Sequence, residues 1–483
     1  MNRTLLRLML TSLLTLTACA RQNDTLPKER ALKIPELTLN SKIKSIDALE
    51  HSKPSWWAYF QDPQLDHLIS LALKHNPDLA IARARINEAQ GIARIKGAKL
   101  LPNVNANSSI QAAHWTENQF YPPPYGGSDT WNNALNLNLS YSLDLWGRYR
   151  DVNIAKRDVL AAAEQEHRAA ALLLENNILQ NYIRYVQTEA LIKNNHELKT
   201  VEYKLIYIAR MRLQHGLDNA TSMHQLQQGL QELNDRKRAL TGKSKLFKEE
   251  LAALAGIGTS FHHPLDVHSL PITRQWQPPT FVPASLVGAR PDVIARRWQV
   301  EAAAANVRVA QTEFYPNINI VAFLGGLAAA GSFLQFLHVS SAQYGVGPSI
   351  TLPIFEGGRL RGNLREKSAE YNEAVSEYNE TLIDAFKQVA QAITQLDSLS
   401  ARRRTLHRRL ADLRLILDIS KKRFSAGITN KESVLQKSAD ILRLKQKKID
   451  LNAAALENLG TLYASLGGAF MHGTLPDQNT PQS

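Results

Sequence analysis

Three short stretches carry residue types that could do chemistry, and in each the spacing fails. His196-Glu197 opens the signature of zinc hydrolases, in which two histidines four residues apart hold the metal and the glutamate acts as base. The second histidine position is Thr200. Gly242-Lys243-Ser244 ends as a phosphate-cradling loop ends, but the glycine due five residues earlier is Lys237. His262 and His263 follow Phe261 in a proline-rich stretch that lacks the carboxylates or thiols to complete a metal site. No nucleophile is paired with a base. The expectation is no catalytic residue, no metal, no cofactor, and a protein that is not an enzyme.

One residue remains with a chemical role, and it lies at the start of the chain. Arg3 and Arg7 precede and enter a leucine-rich run, Leu5 to Leu16, that is short for a bilayer span and ends in Thr17-Ala18-Cys19. A charged start, a short apolar core and small residues after it read as a secretion signal over residues 1–18. Leu16-Thr17-Ala18-Cys19 looks like a bacterial lipobox, in which the cysteine is acylated at the cut. Cys19 is the only cysteine, so no thiol is left for a disulfide or a zinc cluster. Each acyl CH₂ buried adds about 0.8 kcal/mol, enough with more than one chain for a stable anchor. Ala20 follows where the lipoproteins it resembles carry Asp for inner-membrane retention, which favours the outer membrane.

The net charge of +13 could point to nucleic acid. A secreted chain meets none, and the basic residues are interleaved with acidic ones as on solvated helix faces, so no nucleic-acid partner is expected. The mature chain also lacks an apolar run of the ~20 residues that a spanning helix needs. If it crosses a membrane it must do so as a closed β-barrel.

The elements that would position such a barrel occur twice. Asn76-Pro77-Asp78-Leu79-Ala80 is echoed by Arg290-Pro291-Asp292-Val293-Ile294, and Leu101-Pro102-Asn103-Val104-Asn105 by Tyr315-Pro316-Asn317-Ile318-Asn319. Both echoes share one offset, 214 residues (77 to 291, 102 to 316). Leu213-Gln214-His215-Gly216 returns as Phe424-Ser425-Ala426-Gly427. That last echo lies at 211 residues, and a near-constant spacing means one structural unit used twice. The organisation expected is a lipidated extended segment over 19–60, a first repeat over 61–260, a linker over 261–285, a second repeat over 286–468 and a tail over 469–483.

Each repeat is expected to run helix, strand, strand, long helix hairpin. The helices span Leu65 to about Leu100 and Leu286 to about Phe314. Strand-like runs cover Pro102 to Trp115, Ala134 to Leu145, Pro316 to Leu324 and Tyr344 to Phe355. The loop from Tyr121 and Pro122 to Gly127 joins the first pair. In the clearest strand, Leu135, Leu137, Leu139, Tyr141, Leu143 and Leu145 alternate with Asn136, Asn138, Ser140, Ser142 and Asp144. That period of two marks a membrane strand with lipid on the Leu side and a wetted lumen at Asn136, Asn138, Ser140 and Ser142. Arg148 to His215 and Asn363 to Ala426 hold neither Gly nor Pro, enough for helices of about 100 Å. Leu382, Phe386, Val389, Ile393 and Leu396, then Leu406, Leu410, Leu413, Leu417 and Phe424, trace a coiled-coil seam. Gly216 and Gly427 stand where each rod must turn back.

Four strands cannot close a barrel, and an open edge in lipid leaves backbone groups unpaired. Two copies would give a filled barrel and three a channel; the polar row favours three.

The sequence resembles the TolC-like outer membrane factors of tripartite efflux pumps, in their lipoprotein branch. The likeness rests on Trp56-Trp57-Ala58-Tyr59-Phe60-Gln61-Asp62-Pro63, the doubled Pro-Asp and Pro-Asn motifs, Leu352-Pro353-Ile354-Phe355-Glu356-Gly357-Gly358-Arg359, and Arg423-Phe424-Ser425-Ala426-Gly427. It implies an α+β membrane protein: a homotrimer with a trimeric 12-stranded transmembrane β-barrel, four strands per chain, continued by a long α-helical coiled-coil periplasmic barrel. It also implies a periplasmic adaptor (membrane fusion protein) and an inner-membrane pump as partners, with the adaptor contacting the tips at Gly216, Leu217, Gly427 and Ile428. The function implied is an exit duct for small toxic compounds. A duct for protein secretion, or a coiled-coil structural lipoprotein without a pore, are the other readings. Many relatives carry aspartates after the tip glycines that ring the periplasmic aperture; the matching positions here are Ser222, Ser433 and Gln436, with Thr221 beside them. The sequence leaves open whether Asp218 and Glu432 line that aperture.

The anchor can be tested directly. Cys19→Ala is expected to leave trimers intact, because closure rests on the strands, while abolishing uptake of a palmitate analogue and lowering yield. A wild-type protein that takes up no label would overturn the lipobox reading.

Overall fold

The computed structural model describes residues 26–33, 43–44, 55–118, 123–261, 265, 282–328 and 332–468. Cys19, Ala20, the signal segment, Tyr121 and Pro122, His262 and His263, and the tail over 469–483 lie outside the described residues. The chain divides into two compact units, and its longest helices pass from one into the other.

The first unit comprises Met1–Ala31, Arg85–Ala163 and Ala295–Asn379. Its centre is a four-stranded antiparallel sheet of β1 (Asn103–His114), β2 (Asp129–Ser142), β3 (Asn317–Ala328) and β4 (Ala342–Thr351), in that spatial order. Both strand runs that were expected to continue into the following segment stop early. β2 ends at Ser142 rather than Leu145 because Asp144 takes a left-handed backbone, φ 43°. Its carboxylate then accepts from the N–H groups of Tyr149 and Arg150, 2.8 and 2.9 Å away, capping the next helix. β4 ends at Thr351 rather than Phe355; Pro353 two residues on has no N–H to extend a ladder. At the helical end of this unit Glu313 draws Arg148 (2.9 Å) and the Asn363 amide (2.9 Å) together. The segment around Lys28 is tied on by two backbone N–H groups that donate to Asn372 Oδ1 at 3.0 Å.

The second unit comprises Leu32–Ala84, Glu164–Ile294 and Glu380–Ser483, and is helical. The helices, numbered along the whole chain, are α1 (Pro63–His75), α2 (Pro77–Gly97), α3 (Arg148–Gln214), α4 (Ala220–Leu254), α5 (Ala284–Gly288), α6 (Pro291–Thr312), α7 (Arg359–Ser425) and α8 (Lys431–Ser465). Each opening helix, expected as one piece, is two. Pro77 and Pro291 lack the N–H that would continue the ladder, so the helix breaks in front of them. The residue before each break holds the end of its own return helix: Asn76 Nδ2 donates to the Leu254 carbonyl at 2.9 Å, and Arg290 Nη1 to the Ser465 carbonyl at 3.1 Å. A further correction concerns the end of the segment expected as extended: Trp56–Phe60 is a 3₁₀ turn, which gathers Trp56, Trp57 and Phe60 into the core.

That core packs the three aromatic residues against Leu65, Leu68, Ile178, Leu179, Tyr182 and Tyr463. Asp62 caps α1, accepting from the N–H groups of Gln64 and Leu65, and its other oxygen accepts from the Tyr182 hydroxyl at 2.8 Å. Glu175 is also buried, with the Trp56 indole N–H donating to it at 2.7 Å. Burial pushes its carboxyl up to about 7, against the opposing pull of the indole hydrogen bond. The coiled-coil seam is dry from Leu382 through Leu410; Leu413 and Leu417 are half-buried and Phe424 is exposed, so the seam opens toward the tip.

The Glu175 site sets a pH dependence. A carboxyl raised in the folded state is protonated there at pH values where the unfolded chain has already ionised it, so stability falls as pH rises from the ordinary glutamate range through about 7 and is level above. Glu175→Gln keeps the acceptor for Trp56 and removes the ionisation. It is expected to raise the thermal midpoint at about pH 8, by up to about 3 kcal/mol of stability, and leave it nearly unchanged at about pH 4. An equal effect at both pH values would show that packing, not ionisation, separates the two side chains.

Candidate functional site

The register of the sheet sorts its side chains into two faces. Paired residues in an antiparallel ladder point the same way, and successive residues point oppositely. On one face, Asn103, Ser140 and Val321 share a row; Asn105, Asn138, Phe323 and Gly345 the next; and Asn107, Asn136, Gly325 and Gln343 the next. Ser142 follows on this face beside Asn319 and Ser349. All four residues expected at a lumen, Asn136, Asn138, Ser140 and Ser142, therefore stand on one polar face with the amides of β1. Gln343 donates across to Asn136 Oδ1 at 3.0 Å. The opposite face carries Val104, Leu139, Ala322 and Val346 in one row and Ala106, Leu137, Leu324 and Tyr344 in another, with Tyr141, Ile320 and Pro348 beyond.

Two features escaped the sequence pattern. β3 sets Val321, Phe323 and Leu327 on the polar face, and the Phe323 ring lies over Gly345, so a side chain there would have to push the ring aside. Near the other end of the barrel strands, Trp146 stacks on Tyr315 with centroids 4.9 Å apart, and its indole donates to the Pro316 carbonyl at 2.8 Å. Aromatic residues commonly border the apolar band of membrane barrels.

The helix tips form the second candidate surface. At the first, Gly216 takes φ 67°, its N–H reaches the Leu213 carbonyl at 3.1 Å, and the Leu217 N–H reaches that of Arg212 at 2.8 Å. At the second, Gly427 takes φ 73°, and the Ile428 N–H reaches the Arg423 carbonyl at 2.9 Å. Both are left-handed glycine stops, and both leave an apolar side chain, Leu217 or Ile428, about two-thirds exposed. Asn219 and Asn430 then cap the return helices, accepting from the N–H groups of Thr221 and Ser433 at 3.0 and 2.9 Å.

Between the tips stands Arg212, which the sequence reading did not single out. Its Nε lies 3.4 Å from Asp218 and its Nη1 3.5 Å from Glu432, so one guanidinium pairs with the acid at each tip. Ser222 Oγ donates to Asp218 at 3.3 Å, and Gln436 Nε2 to Glu432 at 3.2 Å. The structure thus gathers Ser222 and Gln436 around this ionic tie, with Ser433 at the cap and Thr221 exposed beside it. No sequence signal links positions 212 and 432, which meet only because the two hairpins lie side by side.

The chain matches the description "outer membrane efflux protein" over residues 68–256 and again over 282–468. The chain belongs to the outer membrane efflux protein family. It is 35% identical over 359 residues to the fusaric acid resistance protein FusA of Burkholderia cepacia, covering 74% of this chain and 68% of that one. It is 27% identical to the cation efflux system protein CusC of Escherichia coli, covering 95% and 97%. Among solved structures, the outer membrane protein VceC of Vibrio cholerae superposes with a TM-score of 0.76 at 30% identity, over 87% of this chain and all of that one. The family and the fold are those of channels rather than enzymes. The protein is an outer-membrane exit duct of a tripartite efflux system, and its fold, largely helical with one four-stranded antiparallel sheet per chain, is that of trimeric outer-membrane channels. Members of the family work with a periplasmic adaptor and an inner-membrane pump.

The two faces of the sheet predict opposite responses to charge. An arginine on the lipid face of a membrane strand costs about 2–4 kcal/mol at mid-bilayer. Leu139→Arg, in the apolar row, is expected to block insertion and trimer assembly, whereas Asn138→Arg is expected to assemble and to change conductance. Equal tolerance of the two in a heat-resistant-trimer assay would mean the faces are misassigned.

Proposed function

We propose that three copies of this chain form a duct for small toxic compounds whose wetted wall is the polar face of the sheet and whose periplasmic aperture is held by Arg212. The observation that carries this reading is the two-faced sheet with both of its edges open: the only arrangement that satisfies both edges and both faces in a bilayer is a closed ring of copies with Asn136, Asn138, Ser140 and Ser142 inward. The row of neutral amides and hydroxyls has no charge with which to sort cargo. Relatives named for fusaric acid resistance, multidrug resistance and cation efflux fit a duct that takes what its pump delivers. The protein has no catalytic role, and Cys19 anchors each copy to the outer membrane.

The exposed Leu217 and Ile428, held on fixed glycine turns, offer the adaptor two apolar knobs per chain. At the aperture, Asp218 and Glu432 do not act as free carboxylates, because Arg212 pairs with both. Each such half-exposed pair contributes about 0.2–1 kcal/mol. The ring presented by Thr221, Ser222, Ser433 and Gln436 is neutral, and divalent cations bind poorly where carboxylate oxygens are few.

Recordings in planar bilayers test this arrangement. The wild-type channel is expected to be weakly cation-selective and little blocked by multivalent cations added on the periplasmic side. Arg212→Ala frees both acids, and is expected to raise conductance, cation selectivity and block together. Ser433→Asp combined with Gln436→Asp should raise selectivity and block with Arg212 in place. Strong multivalent block in the wild type would assign the aperture to other residues.

A further inference from the structure

The two hairpin loops of the sheet are chemically unlike. The β1–β2 connection carries Glu117 and Asn118 and closes with Asp129 and Ser128, as a loop in water does. In contrast, no Asp, Glu, Lys or Arg occurs anywhere from Phe314 to Phe355, a span that includes β3, β4 and the loop between them. The described part of that loop, residues 332–341, does not stand away from the sheet. It folds back over the apolar face.

Three contacts fix it there. Trp131 meets Phe333 edge to face with ring centroids 5.0 Å apart. Asn133 Nδ2 donates to the Phe333 carbonyl at 2.8 Å, while Asn133 Oδ1 accepts from the Gln111 N–H at 3.1 Å. The Phe336 carbonyl oxygen occupies the space that a Cβ on Gly326 would need, so glycine at 326 lets the loop backbone lie on the strand. Trp131, Asn133 and Gly326 all belong to the apolar face. Asn133 is the amide out of place in that face, and an unpaired amide against hydrocarbon would be costly. Under the loop it is 1% exposed and its oxygen and nitrogen are both satisfied.

While Phe336 is buried beneath, the loop turns Leu334, Leu337 and Val339 outward, with Val339 92% exposed. Water would not be the natural solvent of that surface. A neighbouring copy would reach the sheet through its edge strands, β1 and β4, whereas the loop lies on the central strands β2 and β3. The surface is continuous with Leu135 and Leu137 of the membrane-facing band. We infer that the 332–341 loop is a membrane-embedded apron: it packs on the outside of the barrel and presents Leu334, Leu337 and Val339 to the acyl chains of the surrounding leaflet. The inference rests on the assignment of the apolar face to lipid.

Nitroxide accessibility in the full-length trimer distinguishes the two claims. Leu337→Cys, with Val339→Cys as a second site, Leu137→Cys on the strand and Asn118→Cys in the other loop, would each be spin-labelled and reconstituted into phosphatidylethanolamine–phosphatidylglycerol vesicles. Wild-type chain labelled in parallel reports any signal from Cys19. Labels at 337, 339 and 137 are expected to collide with dissolved oxygen more than with an aqueous nickel chelate, and the label at 118 to show the reverse. A label at 137 in lipid with 337 and 339 in water would overturn the apron alone. Labels at 337 and 339 shielded from both agents would mean that protein covers the loop, and would also overturn it. A label at 137 in water would overturn the face assignment and the apron with it.

Discussion

A strand edge has no hydrogen-bonding partner in hydrocarbon, and this chain ends its sheet on two such edges, β1 and β4. The composition and register of the strands follow from having to leave those edges free until another copy arrives. The strands hold no charge apart from Asp129 at the start of β2, so the whole ladder can sit in lipid once closed. The polar and apolar rows keep phase along β2 and its partners, with Val321, Phe323 and Leu327 of β3 and Asn133 of β2 as the departures, because a slip of one residue at either edge would turn each row to the wrong solvent. Closure therefore fixes register, and register fixes which residues water meets.

The same economy shows in how the two repeats are kept alike. What they share is backbone geometry at the ends of helices: a left-handed glycine at 216 and 427, an asparagine cap at 219 and 430, and a side chain at 76 and 290 that holds the final carbonyls of the return helix. Chemistry can differ so long as the carbonyl is reached, and Asn76 and Arg290 reach it with different groups. Arg290 needs the Asp292 carboxylate beside it because its charge is largely buried. Where the repeats face different surroundings they diverge, as the polar first loop and the uncharged second loop do.

Much of this was legible in the sequence because it is local or periodic. Alternation gave β2, the absence of Gly and Pro gave α3 and α7, and the doubled motifs gave the element order. The strand ends were misjudged because alternation continues past Ser142 while Asp144 has already turned to cap a helix; a side chain that serves two neighbours carries no period. The helix breaks at Pro77 and Pro291 are visible only as Pro-Asp near the start of each segment, because a proline in that place fits the first turn of a helix as well as a break before it. The contacts that escaped are those made across the fold. Glu175 finds Trp56 at a separation of 119 residues, Arg212 finds Glu432 only when both hairpins have formed, and Asn133 breaks the apolar row for a loop that comes from the other repeat.

Burial in the second helical hairpin is graded along its length, and the gradient bears on where such a duct can move. Leu382, Val389, Ile393 and Leu396 are fully buried, Leu406 and Leu410 nearly so, Leu413 and Leu417 half, and Phe424 not. Within one chain, each step toward the tip has less apolar contact to break when the helix is displaced. Past the end of the seam, Glu432 at the start of α8 pairs with Arg212 of the first hairpin, and such a partly exposed ion pair is weaker and screened by salt. Local stability therefore falls toward the end where an aperture must open, and motion is drawn from the part of a fold that is least costly to disturb. A dry seam continued to Gly427 would make a stiffer hairpin. It would also make opening compete with hydrophobic burial, whereas the tie at Arg212 can be undone by exchanging one set of polar partners for another.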